Sequence, residues 1–343
     1  MPILRSERGV ALLLVLWIFM VLTVIAAQFS RAMRDDAVAT HNLAEETAAR
    51  AVALAGLNRA LYSTLRVREQ ALEEDDDDSE DIEGTVGLDD GGEPFVHWAP
   101  DGTWHDDAYG GGRFSVRMID EGGKIPLNRV DERMLRRIFY SLGLDSNAQE
   151  EITDAILDWR DPDLEERLNG AEEAYYLGLR SPYRPKDGPF DSVDELLGVR
   201  GITQELFYGA NPDEIEDLIA EGEIVIPFGA IFSVFNRSGN INMRTAPPEV
   251  LFVLAGGEVE DVEEIMDLRQ GNPRAALALL RERLGERSLQ RRVVYRAPTT
   301  IAVEVKAIMD KGKVEARLGA IVQVEEDADA FFISRWLDRL PAY

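Results

Sequence analysis

The sequence predicts an α+β protein in which one long N-terminal helix packs on an antiparallel sheet and a mainly α-helical domain is inserted between the strands. Three observations carry this reading. Neither Gly nor Pro interrupts Val10 to Ala55, so a single helix can run from an apolar start into an amphipathic continuation. Near the C-terminus Ile301, Val303, Val305 and Ala307 alternate with other residues, Asp310-Lys311-Gly312 turns the chain, and Val314, Ala316, Leu318, Ala320, Val322 and Val324 alternate back. Between these regions the apolar spacing lengthens to three or four residues, the period of helices.

The helix has two parts. Val10 to Ala27 is an apolar run without a charge, and at 1.5 Å per residue it spans about 27 Å, close to the thickness of a bilayer core. Arg5 and Arg8 precede it against the single Glu7, so residues 1–9 are expected to stay cytoplasmic and the remainder to be exported. Arg31 and Arg34 oppose that orientation, but Asp35 and Asp36 follow at once. A cleaved secretory signal would need a small-x-small site after the run, and Ala26-Ala27-Gln28 is a poor one. A plain signal anchor is the other ordinary reading. Past the run, an apolar stripe continues through Leu43, Ala44, Ala48, Ala51, Leu54, Ala55, Leu61, Tyr62 and Leu65, which suits a helix lying on a globular domain.

Arg8-Gly9 directly before Val10 and the apolar run resembles a type IV prepilin signal. The resemblance implies cleavage after Gly9 by a prepilin peptidase on the cytoplasmic face, an N-methylated mature terminus at Val10, and retention of the helix. Pilins and most pseudopilins carry Glu at the fifth mature position, where this chain has Leu14. That departure, together with the large size, resembles the minor pseudopilin K family of type II secretion (general secretion pathway protein K). The resemblance implies a pilin-like fold and a single pass through the bacterial inner membrane, with the N-terminus cytoplasmic and the bulk of the chain periplasmic. It also implies a role in capping and organising the pseudopilus, with other minor pseudopilins, chiefly the I and J members, as partners.

The expected organisation is a leader at 1–9, a membrane helix at 10–27, the first part of the pilin-like domain at 28–125, an inserted helical domain at 126–225 and the second part, with the hairpin, at 226–343. Glu73 to Glu93 holds twelve acidic residues and no basic one, and reads as a solvated loop. FSVRMI, with Phe114, Val116 and Met118 alternating, reads as a strand, as does Ile231 to Phe235; Phe331 to Trp336 reads as an edge strand. Core faces of short helices are expected at Met134, Leu135, Ile138 and Phe139, then Ile152, Ala155, Ile156 and Trp159, then Val193, Leu196 and Leu197, and Val250 to Leu284 is helical again. Gly123-Lys-Ile-Pro-Leu-Asn-Arg-Val and Gly239-Asn-Ile-Asn-Met-Arg-Thr-Ala echo one another, each joining a strand to a helix. DEGGKIPLN, DAILDWRDPD, GAEEAYY and FDSVDELLGVRGIT resemble landmarks of the same family, in its order.

The chemistry on offer is limited. A net charge of −27 repels phosphate backbones, so nucleic acid is not expected as a partner, and the absence of Cys excludes disulfides and thiolate metal sites. Asp158, Asp161 and Asp163, followed by Glu172 and Glu173, form the densest carboxylate cluster. At a helix end these charges meet the negative end of the dipole. A solvated acidic loop and a hard-cation site both fit that spacing, and it is not an EF-hand. The family resemblance implies structural calcium, held by Asp158, Asp161, Asp163 and Glu172, with Glu173 as alternative to Glu172. Leu197-Gly-Val-Arg-Gly-Ile202 resembles a DNA-binding hairpin turn, but Asp187, Asp191, Asp194, Glu195 and Glu205 surround it, so tight packing is the expected role. His97 and His105, with Asp106 and Asp107, read as a Gly-rich loop covering a sheet edge, not as a zinc site. No Walker loop, nucleophile elbow, HExxH or dinucleotide pattern occurs, so the chain is not expected to be an enzyme. The rival readings are a type IV pilus or competence-type minor pilin and, further off, a membrane-anchored periplasmic hydrolase.

Overall fold

The computed structural model describes residues 7–76, 86–88, 94–96, 98–210, 226–310, 312, 314–324 and 331–337. Helix α1 (Glu7–Asp76) is 70 residues long, about 105 Å at the standard rise. Its first part is exposed on all sides, from Leu12 and Leu13 to Ile25, as expected of a segment whose surroundings are lipid and not protein. Burial begins at Ala49 and then recurs at Val52, Ala53, Leu57, Ala60 and Leu61, a one-sided stripe of helical period.

That stripe lies on a five-stranded sheet whose order is β11-β10-β9-β4-β3, antiparallel throughout. The strands are β3 (Asp101–Tyr109), β4 (Gly112–Asp120), β9 (Thr300–Met309), β10 (Glu315–Val324) and β11 (Phe331–Leu337). Phe114, Val116 and Met118 of β4 and Ile301, Val303, Val305 and Ala307 of β9 face α1 and are buried, so the period-two patterns are the inner face of this sheet. Gly56 is where helix and sheet come closest. A Cβ there would lie 2.8 Å from the Phe114 ring and 2.9 Å from Val305. Position 52 of α1 sits over Gly112, and Thr64 approaches Met118, so α1 runs from the hairpin end of the sheet toward its Asp120 end.

The helical module leaves the sheet at Asp120 and returns at Thr300, and Asp120 stands opposite Ile301 in register. It contains β5 (Ile125–Pro126), α2 (Glu132–Ser141), α3 (Ser146–Arg160), α4 (Glu173–Leu177), α5 (Gln204–Tyr208), β6 (Phe232–Ser233), β7 (Ile241–Asn242), α6 (Pro248–Ala255), α7 (Val259–Gly271), α8 (Pro273–Leu284), α9 (Arg287–Gln290) and β8 (Val293–Val294). One hydrophobic cluster runs from Ile125 to Val293, separate from the cluster under α1. The expected boundary at 226 is therefore corrected: Ile226 to Tyr295 pack with the insert, and the sheet resumes only at Thr300. Strand character at 231–235 shrinks to β6, which pairs in parallel with β5 and not with the large sheet.

The echo between the two Gly-led junctions is structural. Leu127 N–H donates to Ser233 O at 3.0 Å, and Met243 N–H to Val294 O at 2.8 Å, each extending a short parallel pair, β5 with β6 and β7 with β8. From the second helix after each junction an arginine returns to close the turn. Arg160 donates to Leu127 O and Val130 O, and Arg269 to Met243 O and Ala246 O. Two similar units thus share one core.

Asp120 fastens module to sheet. Its buried carboxylate accepts from Gly122 N–H (2.8 Å), Asn242 Nδ2 (2.9 Å) and Thr245 Oγ1 (2.6 Å), and burial pushes its pKa up.

Two loop readings change. The acidic segment 73–93 is helix up to Asp76, and Val86–Leu88 pairs as a short strand with Pro94–Val96; the rest of it lies outside the described residues, as do most of the leader and His97. The stretch with His105, Asp106 and Asp107 is not a loop but β3, the sheet edge itself. Its Asp-rich composition hid it, because an edge strand needs no apolar outer face.

A carboxylate cluster at the end of α3

Helix α3 starts on Asp145, whose side chain accepts from the N–H groups of Asn147 and Ala148, and ends at Arg160. Ile152, Ala155, Ile156 and Trp159 bury its inner face, which carries Asp158 inside with them at 0% exposure. The loop after α3 folds back over this residue. Asp158 Oδ2 accepts from Arg167 N–H at 3.1 Å and Ala171 N–H at 3.0 Å, and Arg167 Nε lies 3.3 Å from Oδ1. Gly170 permits the approach, since a Cβ there would stand 1.9 Å from Asp158 Oδ2.

Glu172 follows, buried to 5% exposure at the start of α4 and capping nothing. Neither of its carboxylate oxygens has a hydrogen-bond partner, nor does Asp161 Oδ1, while Asp158 Oδ1 has only its ion pair with Arg167. Buried carboxylates without partners are costly. Sequence reasoning missed a further member, Asp187, whose Oδ1 is buried and equally unpartnered and whose φ is +48°. Gly188 N–H donates to Trp159 O at 3.3 Å and so brings this loop to the end of α3. Only the Asp187-Gly188 dipeptide, a turn signal, marked the spot in the sequence.

Electrostatics tie the group together. Burial first, then the charges of Asp158, Asp187, Asp161 and Asp163, push the Glu172 pKa up to about 7. Burial, aided by Asp161, lifts Asp158 to about 6, and Asp161 is raised for the same kind of reason, with Asp163 as its neighbour. Asp163 is exposed and caps its own turn by accepting from Glu165 N–H. Glu173, the alternative ligand, instead pairs with Arg184 at 3.3 Å. Among the described residues no three carboxylates or imidazoles are already closed around a point at chelating distance. The donors are hard oxygens, the type a calcium-like ion takes, and Arg167 is the cation paired with Asp158.

The other candidates separate from this cluster. In the glycine turn, a Cβ at Gly198 would meet Trp159 at 3.0 Å and one at Gly201 would meet Ile152 at 2.7 Å, while Arg200 is spent on Glu151 and Gly170 O. This is packing. His105 stacks on Trp98 at 5.1 Å, which Arg59 covers from 4.9 Å. Gly9 and Val10 lie in the first turns of α1, and Leu14 is 56% exposed within its apolar part, at the opposite end of the molecule from the carboxylates.

A helix long and apolar enough to cross a membrane, extended onto an antiparallel sheet and followed by a helical insertion, is a pilin-like arrangement. Residues 112–212 match the family model described as Type II secretion system (T2SS), protein K. The chain is 29% identical over 212 residues to type II secretion system protein K of Aeromonas hydrophila, covering 60% of this chain and 62% of that protein. It is 31% identical over 98 residues to the protein of the same name from Pectobacterium carotovorum subsp. carotovorum, covering 27% and 30%. It spans less than two-thirds of the length of these relatives. The chain is thus similar, over these parts, to type II secretion system protein K. A solved GspK-GspI-GspJ complex from enterotoxigenic Escherichia coli aligns over 69% of this chain and 84% of that one, with a TM-score of 0.44 and 14% identity.

Proposed function

We propose that this chain is a minor pseudopilin that caps the periplasmic pseudopilus of a type II secretion system and organises its assembly with the I and J minor pseudopilins. The observation that carries this is Leu14 in place of the glutamate that the resemblance leads one to expect. After cleavage at Gly9 each subunit brings an α-ammonium into an apolar helix bundle, where an unpaired charge is costly. A neighbour's fifth-position glutamate is the natural counter-ion, and a subunit with nothing above it needs none. The helical module supports the same position, since it leaves the sheet at the Asp120 end, away from the membrane helix, where it would obstruct a subunit stacked above. Immunogold labelling of sheared pseudopili should mark one end only; label along the shaft would overturn the reading. Mass spectrometry should find the mature N-terminus at Val10, and a terminus at Met1 or near Gln28 would exclude prepilin processing.

In this reading Asp158, Asp161, Asp163 and Glu172, together with Asp187, would hold a structural calcium ion. The ion supplies positive charge to a buried acidic cluster at a helix C-terminus. Asp158 meanwhile keeps the returning loop in place through the Arg167 and Ala171 N–H groups. The inner membrane, with the N-terminus cytoplasmic and the bulk of the chain periplasmic, is the proposed location.

A further inference from the structure

Between residues 269 and 296 this strongly acidic chain reverses its sign. Arg269, Arg274, Arg281, Arg283, Arg287, Arg291, Arg292 and Arg296 stand against Glu282 and Glu286 alone. Several of them have structural work: Arg269 closes a turn, Arg281 donates to Val293 O, and Arg283 pairs with Asp261. Arg287 and Arg291 do not. They lie one helical turn apart at α9, both exposed, joined through the backbone by Arg291 N–H to Arg287 O at 3.3 Å, and no acidic partner stands by either among the described residues. Like charges at this spacing repel.

The start of α2 adds to the same face. Arg133 reaches Glu286 at 3.4 Å, and Arg292 bonds both Asp131 Oδ2 and the carbonyl of Arg129, whose own side chain is exposed. Of the five arginines 129, 133, 287, 291 and 292, Arg133 is paired with Glu286 and Arg292 with Asp131, while Glu132 beside them pairs with Arg136.

We propose that this arginine face is a docking surface for an acidic segment of a partner protein. Guanidinium groups suit carboxylates because the planar fork binds them bidentately. Anionic lipid of the anchoring membrane is out of reach. From Ala27 to Ala49, where burial of α1 begins, is about 33 Å of helix, and the module lies beyond the sheet's far end, whereas charge is screened within about 8 Å at physiological salt. The proposal is independent of the tip placement and of calcium.

The test is binding of a fluorescent twelve-residue oligoglutamate to the full-length chain in detergent micelles, read by anisotropy in about 0.1 M salt. Wild type should bind, Arg287→Glu with Arg291→Glu should weaken binding at least about tenfold, and the neutral pair Arg287→Gln with Arg291→Gln should fall between. Arg113→Glu with Arg317→Glu, on the sheet, should bind as wild type does. Absence of binding by wild type, or equal loss in both reversed pairs, would overturn the proposal. So would tighter binding of an oligothymidylate of equal length. Neutralising Asp75 to Asp78 should leave affinity unchanged; a tenfold gain would mean that the chain's own acidic segment competes for the face, and would defeat the partner reading.

Discussion

Glu172 and Asp158 make the stability of the metal-free module depend on pH in the direction opposite to an ordinary ion pair. A carboxyl whose pKa is higher folded than unfolded binds its proton more tightly in the native state. Stability conferred by that proton is present at low pH and lost as pH rises, for Glu172 between 4.5 and about 7 and for Asp158 between 3.8 and about 6. In chelator, therefore, Tm should fall from about pH 5 to about pH 8, and added calcium should raise Tm most at the upper end, where the carboxylates are ionised. Glu172→Gln should raise Tm in chelator at about pH 8 and blunt the calcium response; a lower Tm there would refute the account of Glu172 as an uncompensated buried charge. The aspartates of this site were legible as a run after a helix, because proximity in sequence gathered them. Asp187 was not, since what brings it in is a backbone bond from Gly188 to Trp159, and no spacing rule reports that contact.

Gly56 decides how closely α1 can lie on its sheet. Helix propensity alone favours Ala over Gly by about 1 kcal/mol, whereas overpacking a tight contact costs about 1–3 kcal/mol. Both atoms that a Cβ would strike belong to buried residues, Phe114 and Val305, so packing should win. Gly56→Ala is expected to lower the urea midpoint by the equivalent of about 1–2 kcal/mol. A rise in midpoint would mean that the sheet yields. Elements with a strong period were readable from residues alone: α1 from its length without Gly or Pro, and β9 and β10 from their alternation. The buried face of α1 was not, because it is Ala49, Val52, Ala53, Leu57, Ala60 and Leu61, while Leu43 and Leu54 of the expected stripe are exposed. β3 was not, because Asp101, Asp106 and Asp107 break the alternation on an edge that faces water.

For the molecule as a whole, the two cores predict separable unfolding. Chelation should lower the melting of the Ile125–Val293 core while leaving the α1-sheet core nearly unchanged, so near-UV signals from Trp159 and Trp98 should part company; coincident melting would join the cores into one cooperative unit. The C-terminal limit of the helical module escaped sequence reading because its two units look alike. Leu- and Val-rich helices at 250–284 could belong to either domain until the Arg269 turn and the β7–β8 pair tied them to the insert. The sheet order has one more consequence. Taken without the module, β3, β4, β9, β10 and β11 follow one another as neighbours in a plain up-and-down meander, and residues 121–300 occupy the place of a single hairpin turn. Because Asp120 already faces Ile301, an Asn-Gly pair set between them has the length and twist of a two-residue hairpin loop. The chain so shortened should fold as a small stalked meander with its α1 contacts intact. The module is thus an ornament on a complete scaffold, free to change size without disturbing the strands that hold it, because the entropy of closing a loop grows only with the logarithm of its length.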